Sequence, residues 1–227
     1  MSKQITIDGF NGTGKTTLAR SLAQKLDYTH ISTGIIFRSL SYCMLKNKVD
    51  IKDIEKISQT FENMRLILPD NRCKSVIVNG SDITNKIMDM EYAIFASKIS
   101  NNELLQSMVR DFIRQYAKDK NIVIDGRDTG RLLFPNAKLK FALIADTKTR
   151  AERRMKQNNK SKNTLDEVIN QINEIDRKLI EANCIPPTDA IIIDTTSLKP
   201  EEVLEKVLRI CRERENARRI IEEEFMR

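Results

Sequence analysis

The stretch Gly9-Phe-Asn-Gly-Thr-Gly-Lys-Thr16 decides how the rest of the chain is read. It matches the pattern G-x-x-x-x-G-K-[S/T], in which glycines let the backbone approach phosphate groups. An alternating apolar segment at 3–8 predicts a strand before it, and leucines at helical spacing predict a helix over 16–26 after it. A strand, a loop and a helix in this order are the context that the pattern requires. The sequence therefore predicts a nucleoside triphosphate site within an α/β domain.

Two residues of this loop have specific predicted roles. Lys15 should reach the β- and γ-phosphates, and the Thr16 hydroxyl should be a ligand of Mg²⁺. A nucleoside triphosphate and Mg²⁺ are thus the predicted ligands of this loop, with ATP as the triphosphate if the chain is a kinase. The complete predicted ATP-binding set is Gly9, Asn11, Gly12, Thr13, Gly14, Lys15, Thr16 and Thr17. A chain this short, with a basic helical segment and an inserted segment, fits a small-molecule kinase better than a GTPase or a motor ATPase.

Composition restricts the class of protein further. The 227 residues are 40% hydrophobic and 31% charged, as in ordinary globular domains. No apolar run reaches the length of a membrane span, and the N-terminus lacks a signal-peptide pattern. Four scattered cysteines and the single His30 argue against a disulfide framework or a histidine-based metal centre. We therefore expect a cytoplasmic protein that binds neither a membrane nor a nucleic acid.

The net charge of +7 is unevenly distributed. In the C-terminal segment 212–227, five arginines are balanced by five glutamates, which is typical of a solvated helix. The excess lies at 148–162, where seven Lys or Arg residues occur with a single glutamate, Glu152. The net charge could indicate nucleic-acid or membrane binding, or a pocket for anionic small substrates. Because the excess lies in one internal segment and not in a polybasic tail, the second interpretation is favoured.

Further apolar runs indicate the fold. A short strand is predicted at 28–31, and the segments 121–125, 139–145 and 190–194 are apolar runs rich in Ile, Val and Leu; helical patterns lie between them. Such runs are typical of parallel strands buried on both faces, so a doubly wound α/β fold is predicted.

Two regions interrupt this alternation. Short β-like stretches at 64–68 and 75–78 predict a small insertion that carries a hairpin. A basic segment then joins helices predicted over 148–156 and 164–182, the second of which begins with a capping box at Thr164 and Glu167.

Several less common motifs follow one another along the chain. They occupy residues 7–16, 32–38, 76–84, 125–130, 134–137, 151–154 and 193–196. Together they resemble the bacterial cytidylate kinases over about residues 3–210, and the G-R-D-x-G and N-G-x-D-I-T motifs are the most specific. The resemblance implies a P-loop NTPase core with a parallel five-stranded sheet, a small β-containing insertion that binds the nucleoside monophosphate, and a mobile helical lid. It implies one kinase domain over 1–227, with its core at 1–60, 101–147 and 183–227, the insertion at about 61–100 and the lid at about 148–182.

The same resemblance implies transfer of the γ-phosphoryl group of ATP to CMP or dCMP by a monomer. Thr33 and Arg38 would hold the acceptor phosphate, and Arg127 would reach it as well. Ser97 and Asp128 would read the cytosine. The implied catalytic set is Lys15, Arg127, Arg153 and Arg154, the last two from the lid.

The chemistry of the adjacent pair Arg127 and Asp128 supports these roles. The planar fork of arginine binds phosphate in a bidentate manner, and a carboxylate is a natural acceptor for the amino group of cytosine. A simpler alternative is that Asp128 forms a local salt bridge that caps the following turn.

The chain also departs from the family pattern. Gln106 stands where an arginine usually contacts the base, and Met88 and Ile175 also replace arginines. Arg177 and Lys178 lie within one turn of Ile175 and are candidates to replace it. The predicted acceptor-binding set is Thr33, Arg38, Ser97, Gln106, Arg127, Asp128 and Arg177. Two alternatives stay open: a different or broadened acceptor such as UMP, and a catalytically weak nucleotide-binding protein.

Overall fold

A computed structural model describes residues 3–68, 75–157, 164–181 and 184–225. Its strands are β1 (Gln4–Gly9), β2 (Thr29–Ser32), β3 (Leu66–Ile67), β4 (Ile77–Val78), β5 (Ser81–Asp82), β6 (Ile122–Gly126), β7 (Leu139–Ile144) and β8 (Ile191–Asp194). Its helices are α1 (Lys15–Leu26), α2 (Thr33–Lys46), α3 (Ile54–Glu62), α4 (Met90–Ile99), α5 (Glu103–Ala117), α6 (Thr147–Gln157), α7 (Leu165–Glu181) and α8 (Pro200–Phe225). Short helical turns also occur at Lys86–Met88 and Thr129–Leu133.

Five strands form a parallel sheet in the order β2-β6-β1-β7-β8. The predicted α/β fold is confirmed, and every strand of this sheet begins and ends within one residue of its predicted bounds. β6 is buried along its whole length, and β1 is buried after its first residue. The continuous apolar runs in these strands are explained by helices that cover both faces of the sheet.

Two apolar clusters lie on the two sides of the sheet. Ile7 and Phe141 are fully buried and pack in one cluster with Leu22 of α1 and Val207 of α8. The other cluster combines Ile124 of β6 with residues of α2, α3 and α5. Because all five strands run in the same direction, their carboxyl ends lie at one edge of the sheet, where ligands bind in open α/β folds.

The predicted insertion contains a small antiparallel sheet. Leu66 of β3 pairs with Val78 of β4, which confirms the hairpin, although its turn at 69–74 lies outside the described residues. A third strand, β5, was not predicted. It pairs with β4 through a tight turn at Asn79 and Gly80, whose φ angles are +50° and +80°. The division into core, insertion and lid stays a prediction.

The predicted lid corresponds to the helices α6 and α7. They pack against each other through Ala151, Val168 and Ile172. The capping box is present, because the Thr164 N–H donates to Glu167 Oε2 at 2.9 Å and the Glu167 N–H donates to Thr164 Oγ1 at 3.3 Å. The basic tip at 158–163 lies outside the described residues, and the mobility of the lid stays a prediction. No helix in the described part of the chain is both long and apolar enough to cross a membrane.

Candidate active site

The phosphate loop connects β1 to α1 and packs closely against its neighbours. A Cβ atom on Gly9 would lie 2.4 Å from the carbonyl oxygen of Leu143. Gly12 has a φ of +81°, and a Cβ there would lie 2.9 Å from Cβ of Arg150. Larger residues at both positions would displace the loop from β7 or α6, so the glycines of the motif are required by packing as well as by phosphate approach.

Lys15 and Thr16 begin α1, as the motif predicts. The Lys15 ammonium donates to the carbonyl oxygen of Phe10 at 2.9 Å. Burial lowers the pKa of Lys15 to about 8, although the nearby Asp125 carboxylate acts to raise it. The Thr16 hydroxyl donates to Asp125 Oδ2 at 2.7 Å. A cation and a hydroxyl therefore lie together at a helix N-terminus, an arrangement suited to binding phosphate.

The lowered pKa of Lys15 predicts that ATP binding takes up protons. ATP should raise the Lys15 pKa again, because its phosphates favour the charged amine. A lysine of pKa about 8 is mostly protonated at pH 7 and half protonated at pH 8, so uptake should rise from about 0.1 to about 0.5 proton per ATP. Calorimetry in buffers of different ionisation enthalpy measures this number. ATP affinity should fall as the pH rises above 8. In Lys15→Met, the increase in proton uptake between pH 7 and pH 8 should disappear. Equal uptake by the variant would contradict the assignment.

The loop that carries Arg127 and Asp128 is held in place by hydrogen bonds to Asp8, at the end of β1. This buried carboxylate accepts hydrogen bonds from the Thr129 N–H at 2.7 Å, the Thr129 hydroxyl at 2.8 Å and the Gly130 N–H at 2.8 Å. Burial raises the pKa of Asp8, and these hydrogen bonds oppose that shift. Sequence reasoning did not assign this role to Asp8. The available signal was an acid at the end of an apolar strand.

Arg127 extends from this loop to the phosphate loop. Its Nη2 donates to Asn11 Oδ1 at 3.4 Å, which brings two predicted site residues into contact. Burial lowers the pKa of the guanidinium, whereas Cys184 and Asp176 act to raise it. A half-buried arginine beside the phosphate loop can bind an anion placed between the two loops.

Asp128 forms a local salt bridge, as in the simpler alternative, but its side chain makes no capping hydrogen bond to the turn at Thr129–Leu133. Arg131 donates from Nε to Asp128 Oδ1 at 2.8 Å and from Nη2 to Oδ2 at 2.6 Å. Burial raises the pKa of Asp128, and the charges of Arg131 and Arg110 oppose this. The Asp128 side chain keeps 16% of its surface exposed, and each carboxylate oxygen has a second lone pair. Recognition of a base by Asp128 is compatible with this pair and stays a prediction.

Two of the predicted acceptor-phosphate residues come from α2. The Thr33 hydroxyl donates to the backbone carbonyl of Asp125 at 3.4 Å. Arg38 is half-buried, burial lowers its pKa, and its Nη1 lies 3.7 Å from the sulfur of Met88. Met88, which the resemblance places where an arginine is usual, is thus a direct neighbour of Arg38.

Ser97 and Gln106 lie on consecutive helices, α4 and α5. Ser97 is exposed, and the Gln106 side-chain amide donates to the carbonyl of Ser100 at 2.7 Å. Arg110, one turn after Gln106, donates to Gln106 Oε1 at 3.3 Å and is close enough to Asp128 to affect its pKa. Arg110 was not among the predicted residues, and it supplies a cation beside Gln106, where the resemblance leads us to expect an arginine.

The lid arginines differ in their surroundings. Arg153 donates to the carbonyl of Gly12 at 3.4 Å and to the hydroxyl of Thr195 at 3.1 Å, so it holds the backbone of the phosphate loop. Arg154 is half-buried and has no hydrogen bond or ion pair within the described residues. The Arg177 side chain is 69% exposed, and its Nε lies 4.0 Å from Glu181 Oε1. Among the described residues, it has no hydrogen bond or ion pair with another predicted site residue. The roles of all three stay predictions.

Sequence reasoning missed a buried pair beside the loop. Arg150 forms a 2.6 Å salt bridge with Asp176 of α7, and both side chains are almost fully buried. Arg150 Nη1 also approaches the carbonyl of Asn11 at 3.5 Å, and its guanidinium lies over the ring of Phe10. The pair therefore links α7 to the phosphate loop. The excess of Lys and Arg residues at 148–162 gave no sign of which arginine was buried.

Comparison with known proteins supports the same chemistry. The family model described as cytidylate kinase matches residues 5–213. The cytidylate kinase of Thermotoga sp. (strain RQ2) is 38% identical over 95% of this chain and 100% of its own length, and that of Caldicellulosiruptor bescii is 35% identical over 91% and 94%. An uncharacterized protein from Eubacterium ventriosum, 12% identical, shares the fold with a TM-score of 0.52 over 92% of this chain and 98% of its own. Because the family model spans most of the chain and both relatives are more than 30% identical over nearly their whole length, this chain belongs to the cytidylate kinase family.

Proposed function

We propose that this chain transfers the γ-phosphoryl group of ATP to CMP or dCMP, as a monomer and with Mg²⁺. The observation that carries the proposal is the loop at 127–130. Asp8 fixes this loop, in which Arg127 contacts the phosphate loop and Asp128 is close enough to Arg110 of α5 for the Arg110 charge to counter the rise that burial causes in the Asp128 pKa. The first residue of the loop is therefore next to the phosphate loop, and the second carries an acceptor for an amino group.

The residues present also fit Mg²⁺. The Thr16 hydroxyl gives its proton to Asp125, so its lone pairs are available to a cation, and Asp125 adds a carboxylate beside it. When bound, Mg²⁺ would neutralise charge on the β- and γ-phosphates. Mg²⁺ commonly takes one or two protein ligands together with phosphate oxygens and water.

The side chains then have separate tasks in an in-line transfer. Lys15 binds the β- and γ-phosphates, and Arg127 and Arg38 hold the phosphate of the monophosphate. One oxygen of that phosphate attacks the γ-phosphorus, the bond to the β-phosphate oxygen breaks, and ADP leaves with CDP or dCDP as the other product. An ionised phosphate acceptor needs no general base, so positioning and charge stabilisation by these cations are sufficient.

The test is a panel of acceptors. ATP consumption is measured with CMP, dCMP, UMP, AMP, GMP and shikimate, and products are identified by chromatography. We expect CMP and dCMP to give the highest kcat/KM, with one ADP formed for each diphosphate. A higher kcat/KM for UMP would favour the alternative acceptor. Turnover of none of the six would favour a nucleotide-binding protein with little catalysis.

A further inference from the structure

The single histidine of the chain lies next to the catalytic centre. His30 is on β2, the edge strand of the large sheet, and Asp125 is on the adjacent β6. His30 Nε2 is 2.7 Å from Asp125 Oδ1, and the two side chains are 10% and 4% exposed. A carboxylate buried to this extent needs hydrogen-bond donors, because an unpaired buried charge is strongly unfavourable.

The contacts of the two oxygens of Asp125 differ. Oδ2 accepts from the hydroxyl of Thr16 at 2.7 Å and lies 3.4 Å from the hydroxyl of Ser32. For Oδ1, His30 is the one side-chain partner within the described ranges. The hydrogen bond from His30 therefore restricts rotation of the Asp125 carboxylate about its Cβ–Cγ bond. This rotation decides whether Oδ2 faces Thr16.

The direction of the Thr16 proton follows from this arrangement. A hydroxyl has one proton and two lone pairs, and a carboxylate can only accept. While Asp125 accepts the proton of Thr16, the lone pairs of Thr16 are free to coordinate a cation. If the carboxylate rotates, the Thr16 proton is free to point toward the cation site, where it would oppose coordination.

We propose that His30 is a positioning residue for the Mg²⁺ of the bound nucleotide, acting through Asp125 on the hydroxyl of Thr16. In this role His30 contacts Asp125 and would touch neither the metal nor the substrate. The same geometry requires Nε2 to carry the proton, since Asp125 has none to donate in its ionised form. The inference rests on the proposed use of Mg·ATP by this site. Asp125 is hydrogen-bonded directly to the metal ligand Thr16, and losing a partner in that position commonly changes metal affinity by about 10- to 100-fold. His30 acts one hydrogen bond farther out, so we expect the lower end of this range.

Two substitutions separate positioning from packing. His30→Phe keeps a ring of similar size but removes the donor, whereas His30→Gln keeps an N–H donor at about the same reach. Displacement of a fluorescent ATP analogue gives the Kd of ATP with excess Mg²⁺ and with a chelator. We expect the preference for Mg·ATP over metal-free ATP to fall about tenfold or more in His30→Phe and to recover largely in His30→Gln. Metal-free binding should stay close to that of the unchanged protein.

A purely structural His30 would give a different pattern. Both variants would then unfold at lower temperature while their preference for Mg·ATP stayed unchanged, and that result would overturn the proposal. These binding constants are measured without CMP. A failure to phosphorylate CMP would therefore contradict the proposed function but would not affect the test of His30 as a positioning residue.

Nuclear magnetic resonance of the unsubstituted protein gives an independent test, even if His30→Phe does not fold. Because the chain has one histidine, both imidazole nitrogens can be assigned directly in protein prepared without a histidine tag. We expect the neutral ring to carry its proton on Nε2, and we expect Thr16→Val to shift the His30 signals through Asp125. A ring protonated on Nδ1 alone, or His30 signals identical in Thr16→Val, would overturn the proposal.

Discussion

Lys15→Met should reduce kcat/KM for ATP and CMP by about 10²–10³-fold, the usual effect of removing one group that stabilises transition-state charge. The charge on the transferred phosphoryl oxygens is stabilised by fixed cations, and Lys15 is the cation at the start of α1 beside the phosphate loop. Methionine fills nearly the same space, so the loss should come from the missing charge. Initial rates over a range of both substrates measure the effect.

The same substitution should not weaken the fold. The Lys15 pKa is lower in the folded protein than the ordinary value of 10.5, so the charged lysine lowers the free energy of unfolding. This penalty is present in full below about pH 8 and disappears as the pH rises toward 10.5. Removing the charge at pH 7 should therefore leave the unfolding temperature unchanged or raise it. Lys25→Ala is the matched control, because it removes an exposed lysine from the last turn of the same helix. Near-normal turnover by folded Lys15→Met would exclude the proposed transfer mechanism.

The features that sequence could predict are local ones. The phosphate loop is a contiguous pattern, and its strand and helix follow from the spacing of apolar residues next to it. The parallel strands were recognisable because burial on both faces produces continuous runs of Ile, Val and Leu. The capping box at Thr164 and Glu167 was recognisable for the same reason, since its two partners are three residues apart.

Some missed elements carried signals that were too short to be decisive. β5 has only two residues, Ser81 and Asp82, so no alternation of polar and apolar residues could identify it. The preceding Asn79-Gly80 is a preferred two-residue hairpin turn and could have predicted the strand. The helix α3 likewise has an Asp53 cap and buried Ile57 and Phe61 four residues apart.

The missed parts of the site depend on contacts between distant residues. Asp8 and Thr129 are 121 residues apart in sequence, and Thr16 and Asp125 are 109 apart. Each acid stood visibly at the end of a strand, but its partner depends on the order of strands in the sheet. The pairing of Arg150 with Asp176 had the same cause, because it requires the packing of α6 on α7.

The second large effect concerns the choice of base. Asp128→Ala should lower the ratio of kcat/KM for CMP to that for UMP, while ATP binding is kept. A carboxylate accepts from the amino group of cytosine and repels the carbonyl group that uracil presents at the same position. The loss of one good base contact costs about 1–3 kcal/mol, which corresponds to about 5- to 150-fold in this ratio. Asp128→Asn should lower it as well, because an amide can also donate to uracil.

The starting ratio should be modest. Gln106 binds the carbonyl of Ser100 and a nitrogen of Arg110, so its side chain is already engaged in contacts within the protein. Arg110 lies one turn farther along α5 than the arginine usual in the family. A cation that acts from this distance should support Asp128 electrostatically without binding the base as closely.

Two controls separate base recognition from loss of a local salt bridge. Asp111 forms a similar pair with Arg114 three residues later on the exposed face of α5, so Asp111→Ala removes an acid of the same kind and should leave the CMP/UMP ratio unchanged. Arg131→Ala breaks the pair of Asp128 but keeps the carboxylate. If Asp128 reads the base, Arg131→Ala should retain most of the preference for CMP, since the acceptor for the cytosine amino group remains. If Arg131→Ala and Asp128→Ala lower the ratio equally, or if neither does, Asp128 serves only to hold Arg131 across the turn at Thr129–Leu133 and another group distinguishes the bases.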